Sequence, residues 1–382
     1  MKLKDFLAFK PLFYKEIDYQ RMPKAFESIK DRLSLPKIIH IVGTNGKGST
    51  GRFLAFLLFK NGFRVGHYTS PHILRFNERI WLNGKDIDEA SLEKAHKELF
   101  EILPNEFKDS LSYFEYTTLL SIKAFRDVDF AILEAGLGGE FDGTNVFKKE
   151  LSIISAIGFD HQSFLGEKIE DIALTKIRSI DKNAILGYQK YHKVVDVAKK
   201  VAKEKGANLF LVDELLDENE KEKIKDFIKE KAFPSYFIQN LSLAYAAAKF
   251  LKVKPNLEQI KDIEIFGRFQ RVLKNVIIDV GHNPLSAKEI VKNIKKDIVL
   301  VYNTYEDKDY KEILKILKPK IKRVEIIDID DERVVKKEIL KSALKELKIN
   351  YCDFKDIRKS EEYLVYGSFK VVEKFLKEHF AS

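Results

Sequence analysis

The chain has 382 residues, more than one hydrophobic core usually supports, and its 45% hydrophobic fraction fits two folded domains. The net charge of +9, from 68 basic and 59 acidic residues, is scattered as lysine among glutamate on helical faces. With no aromatic-and-basic tract, that excludes an obvious nucleic-acid surface and fits a mildly positive one that attracts small anions.

No apolar run reaches the length of a membrane span, and the N-terminal apolar stretch is too short for a signal peptide. The single cysteine, Cys352, excludes a disulfide framework and a cysteine metal cluster. Cytoplasm is the expected compartment, with no membrane partner.

In chain order, residues 22–34 carry apolar residues at helical spacing, and Pro36 ends them before a strand. That strand, Ile38 to Val42, opens the most informative stretch of the chain, I-I-H-I-V-G-T-N-G-K-G-S-T. The β-branched run breaks at Gly43, and a helix is expected to begin near Ser49. Glycines 43, 46 and 48 let the backbone turn its N–H groups inward, Lys47 adds a charge, and the helix adds its positive end. That arrangement holds phosphate.

The match to the Walker A loop is not strict, because Gly48 follows Lys47 and the hydroxyl comes at Ser49. Thr44, Asn45, Gly46 and Lys47 are expected to wrap the β- and γ-phosphates, with Ser49 near magnesium. Two other readings compete. Gly46, Gly48 and Gly51 also spell the dinucleotide fingerprint, but the next strand ends in Thr69-Ser70-Pro71-His72, without the carboxylate that would hold a ribose. A turn that binds nothing leaves Lys47 unexplained.

Thr50 to Lys60 reads as an apolar helix closed by Asn61-Gly62. A strand follows at 64–68 and a loop to Asn77. Helical spacing returns over 88–102 and 115–126. Buried strands are expected at Phe130-Ala-Ile-Leu and at Leu151–Ile157, and an alanine-rich helix at Gln239–Leu251. The charged run Asp217–Lys231 reads as a solvated helix. Near Phe266-Gly267 the pattern restarts, with strands at 275–280, 298–302, 323–329 and 362–366 alternating with helices at 284–296, 309–317, 332–347 and 368–379. The predicted class is therefore α/β. A P-loop parallel-sheet ATPase domain, 1–264, precedes a smaller Rossmann-like doubly wound domain, 267–382.

Several residues can carry chemistry. Glu134 ends a strand at the same sheet edge as the phosphate loop, where a magnesium–nucleotide site needs an oxygen ligand. A solvated or helix-capping role is the plain alternative. His161 follows the strand 151–157, and Lys176 lies fifteen residues later in an apolar helix. By spacing alone His161 is a core or turn histidine. A lysine beside metals becomes reasonable only if CO₂ has made its amine an anionic carbamate. In the second domain, Asn283-Pro284 is a helix N-cap and first-turn pair, which leaves Asp279 and His282 at a strand's C-terminal edge. Arg268 is a surface arginine or a phosphate contact.

Taken together, G-T-N-G-K-G-S from Gly43, S-P-H-I-L-R-F-N-E-R from Ser70, Y-F-E-Y from Tyr113, L-E-A-G-L-G-G from Leu133, D-G-T-N from Asp142, D-H at Asp160, G-R-F-Q from Gly267, D-V-G-H-N-P from Asp279 and G-S-F from Gly367 resemble the folylpolyglutamate synthase/dihydrofolate synthase family of the Mur ligase superfamily. The resemblance covers most of the chain, in family order.

It implies that Ser70 and Glu134 hold the ATP magnesium and that His161 holds a second ion, with Lys176 carbamylated. It implies nucleotide contacts from Asn240, Arg268, Asp279 and His282. It implies a pterin pocket from Glu16, Ile17, Asp18 and Tyr19, from Ser112, Tyr113, Phe114 and Glu115, and from Phe141, Asp142 and Gly143. Ser112 and Gly143 stand where a familiar member has Thr and Ala.

The implied activity is ATP-dependent ligation of L-glutamate to dihydropteroate and to the glutamate tail of tetrahydrofolate, through an acyl phosphate, by a monomer. Lys47, Lys176 and His282 are the implied catalytic residues. Either activity alone is an alternative. A ligase acting on a UDP-linked peptide would need a domain ahead of the phosphate loop, where only about 40 residues stand. A non-catalytic phosphate-loop protein would need neither the His161 and Lys176 pair nor Arg268 and Asp279.

Overall fold

The structure, a computed structural model, describes residues 1–11 and 18–380. The chain forms two compact units. The first comprises Met1–Gly158, Gln162–Ile224 and Gln239–Ile263, and the second comprises Phe159–His161, Lys225–Ile238 and Glu264–Ser382. Relative to a single cut near 264–267, two short stretches, 159–161 and 225–238, pack with the second unit.

The first unit is built on eight strands: β1 (Lys37–Val42), β2 (Val65–Tyr68), β3 (Ile80–Leu82), β4 (Lys85–Asp86), β5 (Phe130–Glu134), β6 (Lys149–Ile154), β7 (Asn183–Leu186) and β8 (Asn208–Leu211). They lie in the order β4-β3-β2-β5-β1-β6-β7-β8. β1 is central and runs parallel to β5 and β6. Strands covered on both faces need apolar residues at every position, and Ile38, Ile39, Ile41 and Val42 are all buried. Lys37 opens the strand exposed, and His40 is its buried polar residue, at 0% exposure.

The main helices of this unit are α1 (Arg21–Ile29), α2 (Lys47–Lys60), α3 (Glu89–Ile102), α4 (Tyr113–Ala124), α5 (Ile169–Ile177) and α6 (His192–Lys205). Two further helices, α7 (Glu218–Glu230) and α8 (Phe237–Phe250), follow in the chain. α2 begins at Lys47, two residues before the position expected from sequence, and stops at Asn61 and Gly62, where Gly62 takes φ +88°. A left-handed residue there ends the helix at little steric cost.

Some expectations are corrected. The strand read at 151–157 is Lys149–Ile154. Beyond the expected loop, which ends at Asn77, lies the β3–β4 hairpin, turned over Asn83 and Gly84 at φ +47° and +102°. The charged run at 217–231 is amphipathic rather than solvated all round, since Ile224, Phe227 and Ile228 of α7 are buried.

The second unit has six strands: β9 (Gln270–Leu273), β10 (Val276–Asp279), β11 (Ile298–Tyr302), β12 (Ile321–Ile326), β13 (Tyr351–Asp353) and β14 (Tyr363–Tyr366). Their order is β13-β12-β11-β14-β10-β9, parallel except for β9. Helices α9 (Pro284–Asn293), α10 (Tyr310–Leu317), α11 (Lys337–Glu346) and α12 (Phe369–Phe380) alternate with them. Asn283 caps α9, accepting the Ser286 N–H at 2.9 Å, with Pro284 in the first turn. This is the capping expected from Asn-Pro.

The core of this unit includes Leu300, Tyr302, Leu364 and Tyr366 from the central strands, with Leu314 and Leu344 from the helices. Phe375 of α12 is fully buried, with its ring stacked 4.4 Å from that of His379. Phe375→Ala should cost the second unit about 3–5 kcal/mol in denaturant unfolding, whereas Ile339→Ala at an exposed site should change it by less than about 0.5 kcal/mol.

Candidate functional site

The phosphate loop joins β1 to α2. At its glycines the backbone passes so close to neighbours that an added Cβ would require those neighbours to move. Gly43 lies against Ser155, where a Cβ would come 2.0 Å from the hydroxyl, and Gly46, in the left-handed region at φ +86°, lies against Asn240. Gly48 is crowded by Thr69 and Glu134, 3.2 and 3.3 Å from where a Cβ would stand. This explains the glycine that separates the motif from a strict Walker A loop.

The loop is held from several sides. The N–H groups of Thr44 and Asn45 donate to the Ala156 carbonyl at 2.8 and 3.1 Å. The Ser155 hydroxyl donates to the carbonyls of Asn45 and Val42. Asn240, at the start of α8, donates from Nδ2 to the Ser49 hydroxyl at 2.7 Å. The candidate nucleotide residue of α8 is therefore brought onto the phosphate loop.

Lys47 Nζ lies 3.8 Å from Glu134 Oε1, with both side chains largely buried. It also donates to the Gly43 carbonyl at 3.3 Å. Glu134 in turn accepts from the Thr69 hydroxyl and from the Ser70 N–H at 3.4 Å. Thr69 was not singled out from sequence; its signal is its place beside Ser70 at the end of β2. The donor set here is one carboxylate and hydroxyls. Among the described residues no group of three His, Cys, Asp or Glu side chains could hold an ion alone. That chemistry suits magnesium, which takes one or two carboxylates and completes its shell with water and substrate phosphates.

Beyond Glu134 the chain forms the loop 135–142. The Glu140 N–H donates to the Thr175 carbonyl at 2.8 Å, so the loop backs onto α5, where Lys176 is buried at 4% exposure. Asp142 closes the loop. Its Oδ2 accepts the Leu137 N–H at 2.9 Å, and its Oδ1 accepts both the N–H and the hydroxyl of Thr144, at 2.9 and 2.5 Å. Burial pushes this carboxyl up from its ordinary value, against the pull of those donors. Gly143 follows, at the start of a short turn that packs on α4.

Most of the predicted pterin residues come together around this turn. Ser112 and Glu115 form the N-terminal capping box of α4, with Glu115 N to Ser112 Oγ at 3.1 Å and Ser112 N to Glu115 Oε2 at 2.8 Å. Glu115 also takes a two-pronged bond from Arg21, at 2.9 and 3.1 Å. Ser112 and Glu115 therefore have structural work of their own. Tyr113 and Phe114 are partly buried against the core, and Arg79 stands 5.2 Å from the Tyr113 ring. Phe141 is 58% exposed and Tyr19 51%, and their rings stand 4.4 Å apart as an open aromatic face. Asp18 is exposed and accepts the Gln20 N–H. Glu16 and Ile17 lie outside the described residues.

The second unit gathers a separate set. Asp279, at the end of β10, is buried and accepts from Gly281 N at 2.6 Å, Phe269 N at 2.8 Å and the Tyr236 hydroxyl at 3.1 Å. Burial raises its pKa and the Arg268 guanidinium opposes that. Arg268 stands 5.5 Å from the Phe369 ring. His282 bonds through Nδ1 to the Val280 carbonyl at 3.0 Å, and burial holds the imidazole below its ordinary value.

Asp160, beside His161, was not singled out for a role from sequence. It accepts from Lys308 Nζ at 3.0 Å and Asn283 Nδ2 at 2.9 Å, and lies 3.8 Å from His282 Nε2. No motif marks Lys308. His161 takes φ +51° after this aspartate.

Residues 267–365 match the family model "Mur ligase, glutamate ligase domain". A dihydrofolate synthase/folylpolyglutamate synthase of Buchnera aphidicola subsp. Schizaphis graminum is 32% identical over 87% of this chain and 86% of its own. The chain belongs to the dihydrofolate synthase/folylpolyglutamate synthase family. The crystal structure of Helicobacter pylori folylpolyglutamate synthetase is 41% identical and superposes with a TM-score of 0.81, covering 100% of this chain and 98% of that one. The bifunctional folylpolyglutamate synthase/dihydrofolate synthase of Yersinia pestis, complexed with AMPPNP and Mn, is 25% identical with a TM-score of 0.83, covering 99% and 98%.

For this family member the Asp160 cluster predicts a pH dependence. Burial alone would raise the Asp160 pKa, but His282, His161, Lys308 and Asn283 outweigh it and hold the carboxyl well below its ordinary 3.8. The unfolded chain thus takes up this proton first. The stability Asp160 contributes is complete above about pH 5 and is lost as the pH falls below about 4. In thermal unfolding, the advantage of the wild type over Asp160→Asn should shrink steadily across that acid range.

Proposed function

We propose that this chain is an ATP-dependent amide ligase that joins the amine of L-glutamate to a folate-type carboxylate. Its acceptors are dihydropteroate, giving dihydrofolate, and the terminal glutamate of tetrahydrofolate, which is lengthened. The observation that carries the reading is the assembly at the start of α2: Lys47, Glu134 and the Ser49 hydroxyl around a loop whose glycines lie against their neighbours. The names of the relatives and the nucleotide and manganese held by the Yersinia pestis structure support it. The enzyme works in the cytoplasm; no helix among the described residues is long and apolar enough to cross a membrane.

In the reaction, an acceptor carboxylate oxygen attacks the γ-phosphorus, the bond to the ADP oxygen breaks, and an acyl phosphate forms. Lys47 follows the charge on the phosphoryl group, a task of positioning and electrostatics. Ser49, Ser70 and Glu134 would hold the nucleotide's magnesium, and the family resemblance makes His161 and a carbamylated Lys176 each a candidate for holding a second ion. Bound, these ions neutralise phosphate charge.

The glutamate amine then attacks the acyl carbon, and phosphate departs with the oxygen that carried it. That amine must be neutral. His282 suits the proton's removal: the Val280 carbonyl can only accept, so Nδ1 carries the hydrogen and Nε2 offers its lone pair. Asn240 belongs to the nucleotide side of the first unit, and Arg268 and Asp279 are the second unit's candidate nucleotide contacts. Asp18, Tyr19, Ser112–Glu115 and Phe141–Gly143 belong to the acceptor side.

The test is ADP release with Mg-ATP and glutamate, with and without each acceptor. Release that depends on dihydropteroate and on tetrahydrofolate is the expected result, and release independent of both would remove the reading. Lys47→Ala should lower kcat by at least ~100-fold, with a lowered unfolding midpoint because Glu134 loses its charge partner, and the folded fraction at the assay temperature separates the two effects. Lys176→Ala should lose activity that bicarbonate, or a short carboxylate supplied in solution, partly restores. A crystal structure with no added density on the Lys176 amine would count against the carbamate.

A further inference from the structure

His40 is unusual on β1. Its neighbours are aliphatic, its exposure is 0%, and burial pushes its pKa well below the ordinary value, so the ring is neutral. Its Nε2 lies 2.7 Å from the Thr144 hydroxyl oxygen, which is itself 2.5 Å from Asp142 Oδ1. Thr144 is also fully buried, and His40 Nδ1 has no hydrogen-bond partner.

The protons of this chain can be assigned by counting. A carboxylate held by the Thr144 and Leu137 N–H groups acts as acceptor, so the Thr144 hydroxyl gives Asp142 its only hydrogen. The hydroxyl oxygen must then accept from His40, which places the imidazole hydrogen on Nε2. That choice leaves Nδ1 as a bare lone pair, and a buried acceptor without a partner is a lesser cost than a buried N–H without one. The reverse tautomer would strand a donor in the core and put two acceptors face to face.

We propose that His40 is a positioning residue for the acceptor pocket, acting through Thr144 to fix Asp142 and with it the loop that presents Phe141. The proposal rests on the reading of Phe141–Gly143 as acceptor-binding. Asp142 closes that loop through Leu137, and Phe141 stands next to it, exposed and paired with Tyr19. A flat heterocycle packed on the exposed Phe141 ring needs the loop at one height. His40 sits three residues before Gly43, so the same strand that ends in the phosphate loop also anchors the acceptor loop.

Four variants and one spectrum test this. Thr144→Val keeps the shape and removes the hydroxyl, and His40→Leu removes the donor. Thr144→Ser and His40→Gln restore a hydroxyl and an N–H. The first two should raise the KM for dihydropteroate about tenfold, with the KM for ATP and kcat changed by less than about twofold, and the second two should stay near wild type. ¹⁵N spectra of the full chain, with His40 assigned from His40→Gln, should show a neutral ring protonated at Nε2.

An Nδ1-protonated ring, an unchanged acceptor KM in Thr144→Val, or an equal rise in the ATP and acceptor KM would overturn the proposal. Should the wild type couple glutamate to neither acceptor, the proposed function fails separately. The anchoring is then decided by limited proteolysis within 136–142, which Thr144→Val should accelerate; equal rates would reject it. An unchanged acceptor KM in Asp142→Asn, which puts a donor where the carboxylate accepts the Leu137 N–H or the Thr144 hydroxyl, would also overturn the proposal.

Discussion

The first unit depends on a backbone that must approach several partners at once. Between Gly43 and Gly48 the chain runs against Ser155, Asn240, Thr69 and Glu134 at distances that leave no space for a Cβ without displacement. These partners come from the ends of β6, β2 and β5 and from α8. Because they fill the space around the loop, its N–H groups and the Lys47 ammonium keep one geometry. The Lys47–Glu134 pair also gives each charge a partner in a site largely shielded from water, where either alone would be costly.

Topology explains why these groups meet. β5, β1 and β6 are neighbouring parallel strands, so their C-terminal ends fall on one edge, the usual place for a ligand in a doubly wound sheet. Gly43 leaves β1 there, Glu134 ends β5 there, and Ser155 follows β6 there. The loop 135–142, proposed for the acceptor side, begins at the same edge, directly after Glu134. On the proposed assignment, phosphate and acceptor carboxylate would meet at adjacent segments of one sheet edge, which the His40–Thr144–Asp142 hydrogen bonds join.

The sequence made some of this legible and hid the rest for physical reasons. Long periodic elements such as Tyr113–Ala124 and Pro284–Asn293 announce themselves through caps and spacing, and β1 through its apolar run. β7, β8 and β9 are four residues long and each opens on Asn or Gln, which leaves too short an apolar run to read, whereas the equally short β10 and β14 are apolar almost throughout. The charge on α7 masked the apolar stripe of Ile224, Phe227 and Ile228. Lys47 and Glu134 could be found because glycines and a strand end frame them. Lys308, Thr69 and Arg21 could not, since their meaning lies in partners distant in sequence: Asp160, Glu134 and Glu115. The capping role of Ser112 and Glu115 was visible in S-Y-F-E, yet the family resemblance drew attention to the ligand instead.

The central claim is that the phosphoryl group passes to the acceptor's own carboxylate before nitrogen arrives. An acceptor labelled with ¹⁸O in that carboxylate tests it most directly, with the released phosphate read by mass spectrometry after a single turnover. The account predicts one labelled oxygen in the phosphate, carried off when the amine displaces it. Unlabelled phosphate, alongside amide product, would contradict it.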